Sequence, residues 1–292
     1  MQGALSLFDL VPGKVLGDRF LIKGTSRQGG MSAVFRVQDE TRGEAVELQL
    51  FPGGLFDTAD EAKDFAAMWQ PWMAISCPQV ARVLEVVELG GSQALITELP
   101  GGTPLRQLIN DGRRFSESEV IALGLEVCAG LSAIHGRKLA HGDVKPKTIF
   151  LRDDRDNGNK SGRWVPRLVD AGVTTALWQA KHLGEQTALI GTPFYAPIEQ
   201  FGGTSPNASS DVYNLATVMY ELLTGVLPWK GSSFLEIFQA KLEKTIPPMA
   251  KRNPDVEVSP AFEAVIARGL SGDPDVRYPN AIHLGAALTD LS

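Results

Sequence analysis

The sequence of 292 residues predicts an α+β protein with a small β-rich lobe followed by a larger helical lobe. Short runs rich in Val, Phe, Leu and Ile alternate with turns over roughly the first hundred residues. Apolar residues then recur at helical spacing, and the stretch PGGTP (100–104) separates the two patterns. We therefore predict an N-terminal extension at 1–15, an N-terminal lobe at 16–98, a hinge at 98–104 and a C-terminal lobe at 105–292.

The N-terminal lobe carries strand patterns and one helix signal. Strands are predicted at 20–23, 33–37, 46–51, 83–88 and 94–98 because these runs are rich in β-branched, aromatic and aliphatic residues. Thr58-Ala-Asp-Glu61 has the spacing of a capping box, which predicts a helix over 60–68. Pro71 lies in the same helical stretch, so we expect the helix to kink or stop near Gln70.

The C-terminal lobe is predicted to be mostly helical. A second capping box at Ser116–Glu119 precedes apolar residues at helical spacing up to Ile134, and Gly136 is a candidate end of that helix. Further helices are predicted at 211–223 and 233–242, and Ser259 followed by Pro260 indicates another helix start. The polar stretch 152–163 is predicted to be a solvated loop between two strands.

Composition narrows the class of function. The chain is 43% hydrophobic and 21% charged with a net charge of −6, which argues against binding nucleic acid or an anionic membrane through charge. Two distant cysteines, Cys77 and Cys128, indicate neither a disulfide framework nor a zinc site. We expect no secretory signal and no membrane span. The expected location is the cytoplasm, either alone or as the cytosolic part of a larger membrane-anchored protein.

Six motifs occur in an order and spacing that resemble the bacterial eukaryotic-like Ser/Thr protein kinases over about residues 16–288. They are HGDVKP (141–146), VDAG (169–172), GTPFYAPIE (191–199), SSDVYNLA (209–216), LLTGVLPW (222–229) and DPDVRYP (273–279). The resemblance implies a bilobal protein kinase fold. Function must still be argued from the residues of the site.

The residues that hold the kinase fold together match the family pattern. The resemblance implies an ion pair between Glu199 and Arg277, a catalytic-loop anchor at Asp211 and a packing role for His141. Asp143 and Lys145 match the catalytic residues of the family. They are interpreted as vestigial, either with residual catalysis or with retained loop hydrogen bonds only.

The charged groups that would bind a triphosphate are largely replaced. Gln49 stands where the family has its phosphate-binding Lys, and Met68 stands where that Lys has its Glu partner. The metal site is interpreted as degenerate, because Asp170 matches one ligand whereas Thr148 replaces the Asn that is the other. Gly142 replaces an Arg that reads a phosphorylated segment in many relatives, so phosphates on Thr174, Thr175 or Thr187 would not be read through that route.

The nucleotide pocket is also predicted to be degenerate. Its residues by resemblance are Gly29 and Val34 of the glycine-rich loop, Glu47 at the roof, Phe150 at the floor and the hinge residues Glu98 and Pro100. Pro100 has no backbone N–H to donate to a base. Glu47 is expected to face the cleft and crowd the base, with an outward surface charge as the alternative. Arg27 or, less favoured, Lys23 is the alternative phosphate-binding cation.

These replacements favour a pseudokinase that acts as a scaffold or regulatory domain. No cofactor is expected, with weak binding of ATP and Mg²⁺ left open. The alternatives are a divergent kinase or nucleotidyl transferase that uses ATP and Mg²⁺, and a nucleotide sensor without turnover. The expected partner is a protein, namely an active kinase, a phosphopeptide-binding module or an envelope-linked complex. It would dock on the helix at 233–242 or on the kinked helix, and no nucleic acid is expected.

Overall fold

The structure is a computed structural model that describes residues 10–28, 32–153, 164–180, 193–231, 233–242 and 245–292. These residues fall into two compact units. The first takes most of the chain up to Pro100, and the second takes most of the chain from Gly101 onward together with Pro78–Val80. A sheet dominates the first unit and helices dominate the second, so the predicted α+β class is confirmed.

The first unit is organised around one antiparallel sheet. Its described strands lie in the order β1-β2-β3-β4-β6-β5. They are β1 (Val15–Leu16), β2 (Phe20–Gln28), β3 (Ala33–Asp39), β4 (Glu44–Phe51), β5 (Val83–Leu89) and β6 (Ser92–Glu98). Because side chains alternate along a strand, Val46, Leu48 and Leu50 of β4 join the apolar core on one face. Glu47 and Gln49 therefore lie on the opposite face.

Two short helices pack against this sheet. Helix α1 (Ala59–Ala67) begins at the predicted cap, where the Thr58 side chain accepts a hydrogen bond from the Glu61 N–H at 3.1 Å. It ends at Ala67, slightly earlier than predicted. Helix α2 (Gln70–Met73) starts anew with Pro71 in its first turn, where proline is tolerated because that N–H needs no helical partner.

The second unit contains a small sheet and the remaining helices. Its strands β7 (Thr103–Pro104), β8 (Ile149–Asp153) and β9 (Trp164–Leu168) pair in that order. The helices are α3 (Leu105–Asn110), α4 (Glu117–His135), α5 (Val173–Ala180), α6 (Ile198–Phe201), α7 (Ala208–Thr224), α8 (Phe234–Leu242), α9 (Met249–Arg252), α10 (Pro260–Gly269) and α11 (Ala281–Thr289). The last two residues of α5, Gln179 and Ala180, group with the first unit.

Helices α4, α7 and α11 form the centre of the second unit. The side chain of Ser116 and that of Glu119 satisfy each other's backbone N–H groups, so the predicted capping box is confirmed. Helix α7 is buried from Ser210 to Thr224. By length and composition alone, α4 is apolar enough to cross a membrane, but half of it is buried and it packs against α7 and α11, as a core helix does.

Some boundaries differ from the sequence predictions. Strand β2 continues to Gln28, with register shifts between Ile22 and Gly24 and between Thr25 and Arg27. Strand β8 includes Arg152 and Asp153, which were predicted to lie in a loop; residues 154–163 are outside the described residues. Of the predicted N-terminal extension, residues 1–9 are outside the described residues, and Leu10 is buried in the core of the first unit.

Candidate functional site

Asp211 on α7 anchors the loop at 141–148 through hydrogen bonds to its backbone. Its carboxylate accepts hydrogen bonds from the backbone N–H of His141 at 2.7 Å and of Gly142 at 2.8 Å. His135 Nε2 lies 2.9 Å from the same carboxylate. Asp211 is fully buried, and these donors compensate the desolvation of its charge. The structural role predicted for this residue therefore follows from its contacts.

His141 is buried beneath the loop. Burial lowers the pKa of this imidazole below its usual value, so the ring is neutral near pH 7. Its Nδ1 accepts a hydrogen bond from the Asp143 N–H at 3.3 Å, which leaves the proton on Nε2. Nε2 finds no hydrogen-bond partner among the described residues. The ring supports the loop backbone and is not an exposed acid or base.

Asp143 and Lys145 remain together on the loop. Lys145 Nζ donates to the Asp143 carboxylate, and both side chains are mostly buried. Thr148 is 2% exposed, and its hydroxyl lies 2.9 Å from the Asp143 carbonyl oxygen and 3.1 Å from that of Lys145. The same hydroxyl accepts the Lys145 N–H at 3.1 Å. Because a hydroxyl has one proton, Thr148 donates to one of the two carbonyl oxygens and accepts the Lys145 N–H, both within its own loop.

The second acidic position, Asp170, lies at the turn into α5. Its backbone φ of +58° is in the left-handed region, as is that of Gly172. The Gly172 N–H donates to the His141 carbonyl at 2.9 Å, which ties this turn to the loop. Among the described residues, no group of three or more His, Cys, Asp or Glu side chains has the arrangement of a metal site.

The remaining site residue of the second unit is Phe150 on β8. It is buried at 8% exposure and pairs with Arg167 across the β8–β9 ladder. Gly102, with a φ of +72°, lies so close to β8 that an added Cβ would stand 2.2 Å from the Leu151 carbonyl oxygen. The chain from Gly101 to β7 is therefore held directly on the strand that carries Phe150.

In the first unit, the buried Glu47 forms an ion pair with the partly buried Arg27. Glu47 is 1% exposed, so it is not the outward surface charge of the alternative prediction. Its carboxylate accepts hydrogen bonds from Arg27 Nη2 at 3.0 Å and from the Ser26 hydroxyl at 2.6 Å. The pair neutralises both charges. The long side chain of Glu47 occupies the predicted roof position.

Gln49 stands where the family pattern has a phosphate-binding Lys, and its neutral amide makes a hydrogen bond within the first unit. Gln49 is 4% exposed and its Nε2 donates to the Ser32 hydroxyl at 2.8 Å. Across the unit, Phe51, Phe65, Trp69 and Trp72 form a chain of ring contacts with centroid separations of 4.8 to 6.0 Å. Aromatic packing thus holds the α1–α2 segment on the sheet. Met68, at the end of α1, supplies no charge.

The other predicted pocket residues of the first unit differ in how far they are buried. Val34 and Pro100 are buried, and Glu98 is partly buried with its carboxylate 3.9 Å from Arg82. Lys23 is exposed on β2. Gly29 lies outside the described residues, so its predicted role stays a prediction.

Sequence reasoning missed two polar clusters of the second unit. Glu221 is engaged by Arg106 at 2.9 Å and by the Tyr195 hydroxyl at 2.5 Å. Lys241 on α8 is 3% exposed, and its Nζ donates to backbone carbonyls of the segment 193–196. Burial lowers the pKa of this ammonium to about 7. No spacing rule links these residues, which lie up to 115 positions apart in sequence.

The predicted ion pair between α6 and the C-terminal region is present. Arg277 is 1% exposed, and its Nη1 and Nη2 donate to the two Glu199 oxygens at 2.9 and 3.2 Å. It also donates to the Ser271 carbonyl from Nη2 at 2.9 Å. A buried guanidinium with this many acceptors is a structural element, as the resemblance implied.

Comparison with known proteins identifies the family. The family model for the protein kinase domain matches residues 28–284, so the chain belongs to the protein kinase family. The chain is 26% identical over 273 residues to the serine/threonine-protein kinase pkn3 of Myxococcus xanthus, covering 92% of this chain and 49% of that protein.

Two further relatives are bacterial Ser/Thr kinases by name. The chain is 26% identical over 285 residues to the probable serine/threonine-protein kinase PknB of Lactococcus lactis, covering 96% of this chain and 42% of that protein. It is 28% identical over 285 residues to PknL of Mycobacterium tuberculosis, covering 97% of this chain and 68% of that protein. The chain spans about half or less of the first two relatives. These matches support the eukaryotic-like Ser/Thr kinase resemblance.

Proposed function

We propose that this chain is a pseudokinase, a kinase-shaped scaffold or regulatory domain in which nucleotide binding is weak or absent. The ion pair between Arg27 and the buried Glu47 is the observation that carries the proposal. Arg27 is the favoured substitute for the missing phosphate-binding cation. Its positive charge is instead neutralised by the Glu47 carboxylate, which has no counterpart in the kinase pattern.

The energetics of that pair oppose its use for phosphate. If Arg27 turned toward a triphosphate, Glu47 would be left buried without its counter-ion. Leaving a buried group without one of its hydrogen-bond partners typically costs about 1–3 kcal/mol. A phosphate contact would have to offset this cost before contributing any affinity. Gln49 supplies an amide without positive charge, so it does not restore the missing attraction.

The metal-binding half of the pattern is also weakened. The Thr148 hydroxyl that would have to replace an Asn ligand already donates to a carbonyl oxygen of its loop and accepts the Lys145 N–H. Each lost preorganised charge contact typically lowers the rate by about 10²–10³-fold. Starting from roughly 1–100 s⁻¹ for kinases, two such losses leave about 10⁻² s⁻¹ at best. The residues present therefore do not fit productive binding of MgATP.

A thermal-shift titration with ATP, with and without Mg²⁺ or Mn²⁺, tests this proposal. Ligand at about 100 times its Kd stabilises a folded protein by about 2.7 kcal/mol, which is a shift of several degrees. We expect no saturable shift at micromolar ATP. The Asp170→Asn variant is the control, because a metal-dependent shift at the kinase site would be lost in it. Saturable, Asp170-dependent stabilisation at micromolar ATP would contradict the proposal.

A second candidate is a divergent enzyme that transfers phosphate or a nucleotide. The retained contact between Asp143 and Lys145, the acidic residue at Asp170 and the names of the relatives favour it. It predicts label transfer from γ- or α-labelled ATP that is abolished by Asp143→Asn and by Asp170→Asn. Transfer no greater than that of the two variants would exclude it. A nucleotide sensor would instead bind ATP through Asp170 without any dependence on Asp143.

We also propose a protein partner in the cytoplasm, which docks on α8. Leu235 and Leu242 of this helix are 59% and 51% exposed, and their spacing of seven residues places them on one face. An active Ser/Thr kinase or a phosphopeptide-binding module is the expected partner. Calorimetry with these purified partners should show binding that Leu235→Asp abolishes. Equal binding by Leu235→Asp would place the docking surface elsewhere.

A further inference from the structure

Helix α5 lies directly against the backbone of Gly142. A Cβ built on Gly142 would stand 2.8 Å from Thr175 Oγ1, 3.4 Å from Pro206 Cβ and 3.6 Å from Thr174 Cβ. Real Cβ atoms essentially never approach another heavy atom within 3.0 Å. The first turn of α5 therefore occupies the space that a side chain at position 142 would need.

The loop backbone cannot easily move away from α5. The Gly142 N–H is held by the buried carboxylate of Asp211 at 2.8 Å. The neighbouring His141 uses its N–H on the same carboxylate and its carbonyl on the Gly172 N–H. Displacing the loop would break these hydrogen bonds to a fully buried charge, which is costly. Any conflict at position 142 must therefore be relieved mainly by the helix.

The start of α5 is attached to the same loop. The Val173 N–H donates to the Asp170 carbonyl at 3.1 Å, and the Ala176 N–H donates to the Gly172 carbonyl at 2.8 Å. Ala176 and Leu177 of α5 are buried. Helix α5 thus continues from the turn at Gly172, and its first residues are docked by packing.

In the docked position of α5, two threonine hydroxyl groups are shielded from solvent. Thr174 is 6% exposed. The hydroxyl of Thr175 is buried and has no hydrogen-bond partner among the described residues. A buried hydroxyl without a hydrogen-bond partner costs free energy. The other contacts of α5 outweigh this cost, so the helix stays docked. An enzyme that modifies threonine could reach these hydroxyls only after α5 has moved.

We propose that α5 is a conformational lock on the loop at 141–143, and that the lock requires glycine at position 142. The φ of +83° and the missing side chain are both needed for the contact. The lock holds residues 171–180 in one conformation without a phosphate. It depends on contacts within the second unit, so it does not depend on whether the chain binds nucleotide.

Hydrogen exchange of the full chain, followed by mass spectrometry over residues 173–180, tests the lock. The variant is Gly142→Asn, because Asn tolerates a positive φ and adds a side chain with little backbone strain. The matched control is Gly112→Asn, because Gly112 has a φ of +82° and no atom within 4 Å of its added Cβ. We expect exchange over 173–180 to accelerate about 10-fold or more in Gly142→Asn and to be unchanged in Gly112→Asn.

A rescue variant separates the lock from general destabilisation. Thr175→Ala removes the atom nearest to the added side chain, so Gly142→Asn combined with Thr175→Ala should recover part of the protection. If Gly142→Asn does not fold, Gly142→Ala decides by the same measurement. Unchanged exchange over 173–180 in the position-142 variant, or equal acceleration in Gly112→Asn, would overturn the proposal.

Discussion

The polar clusters of the two units satisfy buried charge in different ways. In the second unit, Asp211 and Glu199 accept hydrogen bonds from the groups that the kinase motifs pair with them. In the first unit, the buried Glu47 is paired with Arg27, at a position where the motif has a glycine. The supports of the loop therefore keep the contacts that the family pattern implies, whereas the two charges of the first unit neutralise each other.

The largest expected effect is on the supports of the second unit. Arg277→Met removes a buried guanidinium and leaves the Glu199 carboxylate and the Ser271 carbonyl without their donor. We expect the free energy of unfolding to fall by roughly 3–5 kcal/mol in urea denaturation. The exposed Arg114→Met should change it by less than about 0.5 kcal/mol. A loss below about 1 kcal/mol for Arg277→Met would mean that the supports are not maintained for stability.

A medium effect is expected from pH acting on Lys241. Its pKa is lowered to about 7 by burial, whereas the unfolded chain retains a value near 10.5. Between these values the unfolded state binds more protons, so the free energy of unfolding rises with pH. The negative charge of Glu199 opposes this lowering of the pKa, because it favours the protonated form of Lys241.

Urea denaturation at several pH values measures this effect. Relative to Lys241→Met, the unmodified chain should gain about 2 kcal/mol of stability between pH 7 and 9, with no relative change below pH 6. The exposed Lys251→Met is the matched control and should follow the unmodified chain. A difference between the two chains that is independent of pH would show that Lys241 does not titrate in this range.

The smallest effect is expected from the first unit and tests the pair of Arg27 and Glu47. Glu47→Gln and Arg27→Gln should each lower the free energy of unfolding by roughly 1–2 kcal/mol, because a stranded Arg27 is 16% exposed and a stranded Glu47 keeps the hydrogen bond from the Ser26 hydroxyl. The double variant should cost less than the sum of the two by about 1 kcal/mol. Additive losses would show that the pair is not coupled, and would weaken the proposal that Arg27 is unavailable for phosphate.

Local patterns were sufficient to predict most of the elements. The spacing of Ser116 and Glu119 predicted the start of α4, and Ser259 before Pro260 predicted the start of α10, because capping depends on neighbouring residues. Alternation along β4 correctly placed Glu47 and Gln49 on one face, away from Val46 and Leu48. The family motifs predicted the contacts of Asp211 and Arg277.

Features that depend on distant contacts were not predictable in the same way. The meeting of Arg27 with Glu47 depends on two register shifts in β2, which no sequence period indicates. The cage of carbonyls around Lys241 and the triad of Arg106, Tyr195 and Glu221 join separate elements. The contact of helix α5 with Gly142 depends on the space next to the Gly142 backbone, which the sequence does not indicate.

The Thr148 hydroxyl concentrates the local support of its loop on one atom. It accepts the Lys145 N–H and donates its single proton to the Asp143 or the Lys145 carbonyl oxygen. A substitution that removes this oxygen would disturb the backbone of Asp143 and Lys145 at once, whether or not these residues act on a substrate. Thr148 is therefore as much a part of the geometry of the loop as the two charged side chains.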